Sequence, residues 1–406
     1  MLRGRASTGL LLLLGACGGR LAPDGSSEGG AAGRDPGASI PDAAAGVRPP
    51  ELFDASVSDS GDAATNEGGS LEGGHGGGPP HAADGGAPDS GSPSASENDD
   101  AGSDSSDTDG TADDAGPTVE SGADGGITVL ASGQVTPVEL AVDAQNVYWT
   151  QLSSEASIMQ MPKHGGTPVA IASGQDYEFG IVVDAEYVYF SDSLGAIKRV
   201  PIGGGSLTTL ATLNANVEYF LAVNATTLFI AGDQIASIPK GGGDLTVLAP
   251  AQPQTAGVII DDTNIYWTAQ SNSGSVNLMP LKGGIVTILA SNLIDPCGPV
   301  VGGSTVFFSL IGEGELLSVP IAGGPITTLV ASAPAPIPGA YDSGNVFWST
   351  SEPSGSVLEL NLASGQTRTI GAGFDFPGGI AVDATNVYWT VEGGLGGGGG
   401  VMTAPK

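Results

Sequence analysis

The residues of this 406-residue chain that could do chemistry are mostly carboxylates. Glu139, Asp176, Glu178, Glu218, Asp295 and Asp375 stand beside Tyr177, Tyr219 and Phe376, each just before or within the start of a short apolar run. Glu155, Asp192, Glu313 and Glu352 follow a second set of such runs. If these loops share one face, their carboxylates offer oxygen ligands to a cation such as Ca²⁺, or an acidic surface to a basic partner. In pairs they could serve as general acid and base, as cleavage of a glycosidic bond requires, with Glu139, Glu178 and Asp375 as candidates. Specific chemistry needs more than this. The sequence holds no Asp-x-Asp-x-Asp loop with a closing Glu, no nucleophile elbow and no metal-spaced His cluster, and the glycine run at 396–400 lacks the following Lys of a phosphate-binding loop. No catalytic residue, metal ligand or cofactor is therefore assigned, and the carboxylates are read as a solvated acidic rim that binds.

Other reactive types recur too regularly to be catalytic. Asp143, Asp184, Asp261, Asp342 and Asp383 occupy one place in a repeated motif, with Asn224 standing in once. Asn keeps the acceptor oxygen and drops the charge, so the position serves a turn. Trp149, Trp267, Trp348 and Trp389 also share one position, which points to packing. Cys297 is read as a small core residue, because the only histidine beyond residue 81 is His164, in a Gly-rich turn, leaving no evident base for a thiol nucleophile.

The motif itself is two apolar residues, Asp, a short turn, then Val-Tyr-Trp-Thr. It is nearly identical in the runs 141–150 and 381–390. The aromatic marker falls at Tyr148, Tyr189, Leu228, Tyr266, Phe307, Phe347 and Tyr388, a period near 40 residues. A second marker, Pro followed within two or three residues by Gly, recurs at Pro162, Pro201, Pro239, Pro280 and Pro320, with a degenerate copy at 361–365. Each period reads as four short strands: in the first, 138–142, 147–150, 157–161 and 168–172, joined by an Asp/Asn turn, a loop and a Gly turn. Four strands per 40 residues with no helical pattern is the unit of a β-propeller. The last unit stops after three strands, while residues 126–132 match an outer strand that has no unit of its own. The expected fold is therefore all-β: a seven-bladed β-propeller over 126–406, closed by an N-terminal strand that completes the last blade.

This domain resembles the low-density-lipoprotein receptor class of propellers, named for a Tyr-Trp-Thr-Asp repeat, and similar bacterial secreted propellers. Tyr-Trp-Thr is intact from Tyr148, Tyr266 and Tyr388, but the residue after Thr is Gln151, Ala269 and Val391, and only Ser191-Asp192 keeps the Asp. That class has six blades, so the resemblance implies a layout and no particular ligand.

Ahead of the repeat lies a stretch that cannot form a core. Residues 17–125 mix Gly, Ala, Ser, Asp and Pro with Phe53 as the single aromatic, the composition of a disordered acidic linker. At about 5–6 Å times the square root of residue number, it reaches roughly 55–60 Å. Residues 1–16 read as an export signal, too short in its apolar run to span a membrane. Leu14-Gly15-Ala16-Cys17 resembles the lipobox of bacterial lipoproteins, which implies cleavage before Cys17, acylation of its thiol and, with Gly18 following, outer-membrane sorting. The chain has two cysteines, so acylation of Cys17 leaves no intrachain disulfide to form.

With 44 acidic against 12 basic residues and a net charge of −32, nucleic acid is excluded as a partner, since phosphate binding needs clustered Lys and Arg. The expectation is a monomeric outer-membrane lipoprotein, at the periplasmic face or cell surface, whose propeller binds or scaffolds an envelope protein or glycan. The alternative is a carbohydrate-active hydrolase or lyase using rim carboxylates.

Overall fold

The computed structural model describes residues 126–406 except 154, 177, 253, 396 and 397. The expected export signal, Cys17 and the linker lie outside the described residues. Among the described residues every regular element is a strand, and no helix is long and apolar enough to cross a membrane.

The first strand, β1 (Thr128–Gln134), precedes five four-stranded antiparallel sheets. These are β2–β5 (Pro137–Val142, Asn146–Gln151, Ala156–Pro162, Val169–Gln175); β6–β9 (Glu178–Val183, Tyr187–Asp192, Ala196–Pro201, Thr208–Thr212); β10–β13 (Phe220–Val223, Thr227–Ala231, Ile235–Pro239, Thr246–Ala249); β14–β17 (Thr255–Ile260, Asn264–Ala269, Gly274–Pro280, Thr287–Leu293); and β18–β21 (Pro296–Gly302, Thr305–Leu310, Glu315–Pro320, Thr327–Val330). The remaining strands are β22 (Pro336–Asp342), β23 (Asn345–Thr350), β24 (Gly355–Asn361), β25 (Gln366–Val382), β26 (Asn386–Leu395) and β27 (Gly398–Pro405), which join β1 in one sheet of order β1-β27-β26-β25-β24-β23-β22.

That larger sheet arises because β25 is continuous where the repeat predicts two strands. Its first part pairs with β24 as far as Phe374 opposite Gly355, and its second with β26 from Asp375 opposite Gly393. Phe376, at φ 51°, lies at the change of partner. The first strands of successive sheets touch in a circuit, β2 to β6, β10, β14, β18 and β22, then β25, and back to β2. This is a β-propeller architecture.

Sheets stacked around an axis bury both faces, which is why the second strand of each repeat is apolar throughout. Trp149, Trp267 and Trp389 have no exposed surface and Trp348 has 1%. They fill the layers between sheets, as Trp149 does with Leu130, Met161, Tyr388 and Val401. Each such ring removes about 150–250 Å² from water.

The turn aspartates fix the first hairpin. Asp143 Oδ1 accepts from the amides of Gln145 and Asn146 at 2.7 and 2.6 Å, while Oδ2 accepts from the Tyr148 hydroxyl at 2.7 Å. Asp184 with Tyr189, Asp261 with Tyr266 and Asp383 with Tyr388 repeat the arrangement. Asn224 caps Thr226 and Thr227 in the same way. That cap sets the register of the third repeat and corrects its marker. Val223 opposes Leu228 just as Val142 opposes Val147, so Phe229 occupies the Tyr148 position and Leu228 the position before it. Asp342 departs from the pattern: its turn runs through Ser343 and Gly344 at φ 51° and 88°, a geometry that positive-φ residues supply without an Asp cap.

Neighbouring sheets are stitched by side chains at repeated positions. In three repeats the hydroxyl two residues after the motif tyrosine position donates to a carbonyl of the following repeat: Ser191 to Tyr219 at 2.7 Å, Ser349 to Gly378 at 3.1 Å and Thr390 to Val138 at 2.6 Å. Thr268 instead donates to Ala256 in its own sheet at 2.9 Å. A lysine after the third-strand proline reaches the turn Asp of the sheet before it: Lys163 to Asp383 at 2.7 Å, Lys240 to Asp184 at 2.5 Å, and Lys406 to Asp342. The first and last strands of the described residues meet in the same region. Thr128 opposes Thr403 and Val129 opposes Met402 in an antiparallel pair, and the Thr390–Val138 and Lys163–Asp383 contacts cross the same seam.

Cys297 is fully buried beside Ala256 and Ile337.

Candidate functional site: the axial cavity and its carboxylates

The first strands enclose an axial cavity of about 160 Å³. One repeat position faces it, two residues before the residue opposite the motif tyrosine: Glu139, Gly180, Phe220, Gly257, Gly298, Pro338 and Gly379. Glycine dominates because the strands crowd together there. A Cβ on Gly180 would lie 2.7 Å from the Tyr219 carbonyl, and one on Gly379 3.0 Å from the Val138 carbonyl and 3.1 Å from the Glu139 Cα. Glu139 is thus the charged exception in a ring otherwise made of glycine, proline and phenylalanine.

Its carboxyl group is enclosed by the surrounding strands and keeps accessible surface where it faces the cavity. The backbone amide of Glu139 donates to Thr150 Oγ1 at 3.2 Å. Burial first, and the Glu218 charge second, push the Glu139 pKa up to about 7. Glu218 is itself raised by burial. Glu392, on β26, also lines the cavity, and its Oε2 is buried without a hydrogen-bond partner. Burial and then the Asp375 charge raise the Glu392 pKa to about 7 as well. Two half-buried carboxyls, each near a second acid, therefore border one small space.

Glu392 is absent from the sequence-derived candidates. It lies one residue beyond the place where the resemblance puts an Asp, in Tyr388-Trp389-Thr390-Val391-Glu392, and that offset was the available signal. Of the predicted rim residues, Glu139 lines the cavity, while Glu218 and Asp375 lie outside its lining and act on Glu139 and Glu392 through their charge. Tyr219 does not reach the rim. It is fully buried, its hydroxyl accepting from the Asn214 amide at 3.1 Å and donating to Asp233 Oδ1 at 3.2 Å, with a pKa raised to about 12 by burial and by Asp233. Tyr177 lies outside the described residues, as does the side chain of Glu178, whose backbone opens β6 opposite Asp192. Asp176, Asp295 and Phe376 hold loop backbones together: the Asp176 carbonyl accepts from the Ser193 amide, while the Asp295 and Phe376 amides donate to Ser271 and Glu352 carbonyls. Asp192 is buried and structural, bound by the amides of Leu194 and Ala196 and by Lys198 at 2.5 Å. Glu155 and Glu313 are exposed and Glu352 half-buried. Among the described residues no three His, Cys, Asp or Glu gather into a metal-binding group.

No known protein family matches the sequence, and no curated protein matches it. Solved structures do. A chain from a nidogen/laminin complex matches with TM-score 0.46 and 20% identity over 55% of this chain and 92% of that one. A puromycin-hydrolysing peptidase of Mycobacterium tuberculosis matches with TM-score 0.52 and 11% identity over 64% of this chain, which spans 49% of that one. The computationally designed protein Ika8 matches with TM-score 0.49 and 12% identity over 67% of this chain and 98% of that one. The peptidase match is a likeness of fold alone.

Proposed function

We propose that residues 126–406 form a seven-bladed β-propeller that acts as a non-enzymatic binding or scaffolding module, tethered by an acidic linker to a lipid on Cys17 in the envelope of a Gram-negative bacterium. The circuit of first strands through β2, β6, β10, β14, β18, β22 and β25 supports the count, each contributing the inner strand of one blade. The observation that carries the binding reading is the size of the axial cavity. At about 160 Å³ it falls well below the roughly 300–1,000 Å³ of pockets that enclose a small-molecule substrate. The repeated Asp, Tyr, Thr and Trp residues are committed to capping and packing, which leaves the acidic face and the mouth of the cavity for recognition. The linker holds that face clear of the membrane.

One observation favours a second reading. Carboxyls with pKa values near neutrality are suited to general acid catalysis, and Glu139 and Glu392 have that character. A glycan hydrolase or lyase would use them at the cavity mouth.

The test uses the full chain with Cys17→Ser, immobilised and exposed to fractionated envelope proteins and glycans. The binding reading expects saturable retention of a component that is recovered chemically unchanged. Recovery of cleaved glycan, lost in Glu139→Gln, would transfer the assignment to the enzyme.

A further inference from the structure

We propose that the axial cavity is a receptor for a single alkylammonium group, the chemistry of a lysine side-chain tip or of a free primary amine. This deepens the binding reading and rests on it. The cavity, about 160 Å³, is close to the roughly 150 Å³ that accommodates benzene, so a four- or five-carbon stem fits and a sugar does not. Phe220 and Pro338, at the position that faces the cavity, supply apolar wall for such a stem. Glu139 and Glu392 each place a carboxyl on the cavity lining.

The carboxyls are the second, independent pointer. Glu392 Oε2 is buried with no hydrogen-bond donor, and the half-buried Glu139 carboxyl has none among the described residues. Buried acceptors without donors are costly, and an ammonium group brings three N–H donors with its charge. The charged groups facing these two are themselves acids, Glu218 toward Glu139 and Asp375 toward Glu392, and no Lys, Arg or His among the described residues lines the cavity. A divalent metal is the poorer fit, since it takes six or more gathered oxygens and no such group forms among the described residues. Glu392 also borders a surface groove with Gln134, Val135 and Thr136.

The experiment titrates n-butylammonium, its neutral twin n-butanol, and CaCl₂ into the full chain carrying Cys17→Ser, by calorimetry near pH 8, where both acids and the amine are charged. The expected result is binding of the amine at least about tenfold tighter than the alcohol, weakened about tenfold or more by Glu139→Gln and by Glu392→Gln. Each variant's thermal unfolding is measured alongside; if one misfolds, the other variant and the amine-to-alcohol ratio decide. Binding should weaken as pH falls through about 7. Equal binding of the alcohol, displacement of the amine by Ca²⁺, or full affinity in both folded variants overturns the proposal. N-acetyl-lysine methylamide binding as well as butylammonium assigns the amine to a protein partner, whereas rejection of it assigns a free amine. If no amine binds while an envelope component is still retained unchanged, this inference falls and the binding reading stands.

Discussion

Replacing Leu130 by Ala tests ring closure at one side chain. Leu130 lies on β1, is 5% exposed, and packs with Trp149, Tyr388 and Val401, so it touches the sheets on both sides of the seam. Truncating a buried Leu in a site that cannot collapse costs about 2–5 kcal/mol, a large part of the roughly 5–15 kcal/mol that holds a domain together. At about 2–4 °C per kcal/mol for a domain of this size class, a loss near 3 kcal/mol lowers the melting temperature by roughly 6–12 °C. Circular dichroism of the Cys17→Ser chain reads it directly. The matched control is Val247→Ala on the outer strand β13, where the side chain is 47% exposed and the expected change is within about 0.5 kcal/mol. Deleting residues 126–132 should cost more than Leu130→Ala, because it also removes buried Ala131 and leaves β27 as a bare edge. If Leu130→Ala melts like Val247→Ala, or the deletion leaves stability intact, β1 does not close the domain.

Three further predictions follow from the charges and the lipobox. Asp143, Asp184, Asp261 and Asp383 have folded pKa values below normal because hydrogen bonds outweigh burial, so their stabilisation is present above about pH 4 and lost as pH falls. Glu139 and Glu392 act in the opposite sense: burial raises both to about 7, so stability declines as pH rises from about 4.5 to 7. The melting temperature should therefore peak near pH 4–5, and Glu139→Gln should flatten the decline above it; a peak above pH 7 contradicts this. Lys163→Met should cost about 1–2 kcal/mol by stripping the nearly buried bridge to Asp383, while the same change at exposed Lys282 should cost less than about 0.5 kcal/mol in the same melt. Cys17→Ser should release the protein from the membrane fraction. With two cysteines in the chain, acylation of Cys17 and an intrachain bridge exclude each other, so thiol titration of denatured, unreduced wild-type protein should find one thiol if Cys17 is acylated and none if the two are joined.

The sequence by itself determined the repeat, because each unit carries its own local instructions. An Asp or Asn that caps the first turn, a glycine pair after the third strand and an apolar second strand need no distant partner to be legible, and the expected strands lie within three residues of β2–β5 at every boundary. Even the pairing of residues 126–132 with the chain end could be anticipated, since a unit missing one strand and a strand missing its unit are visible as text. The third repeat was misplaced by one residue because its marker lacks Tyr and Trp, and only hydrogen-bond register separates Leu228 from Phe229.

What only the tertiary structure decided is what the ring brings together. The glycines at the axis look like ordinary strand residues until neighbouring strands are seen within 3 Å of where a side chain would stand. Glu139 and Glu392 come from the first and last repeats and border one cavity only because β2 becomes a neighbour of β25 and β26 on closure. Tyr219 shows the converse: in sequence it sits beside a loop acid, but its ring is buried and its hydroxyl bonded to Asp233. Burial, not residue type, sets which carboxyls keep their protons near neutrality, and burial is a property of the closed ring.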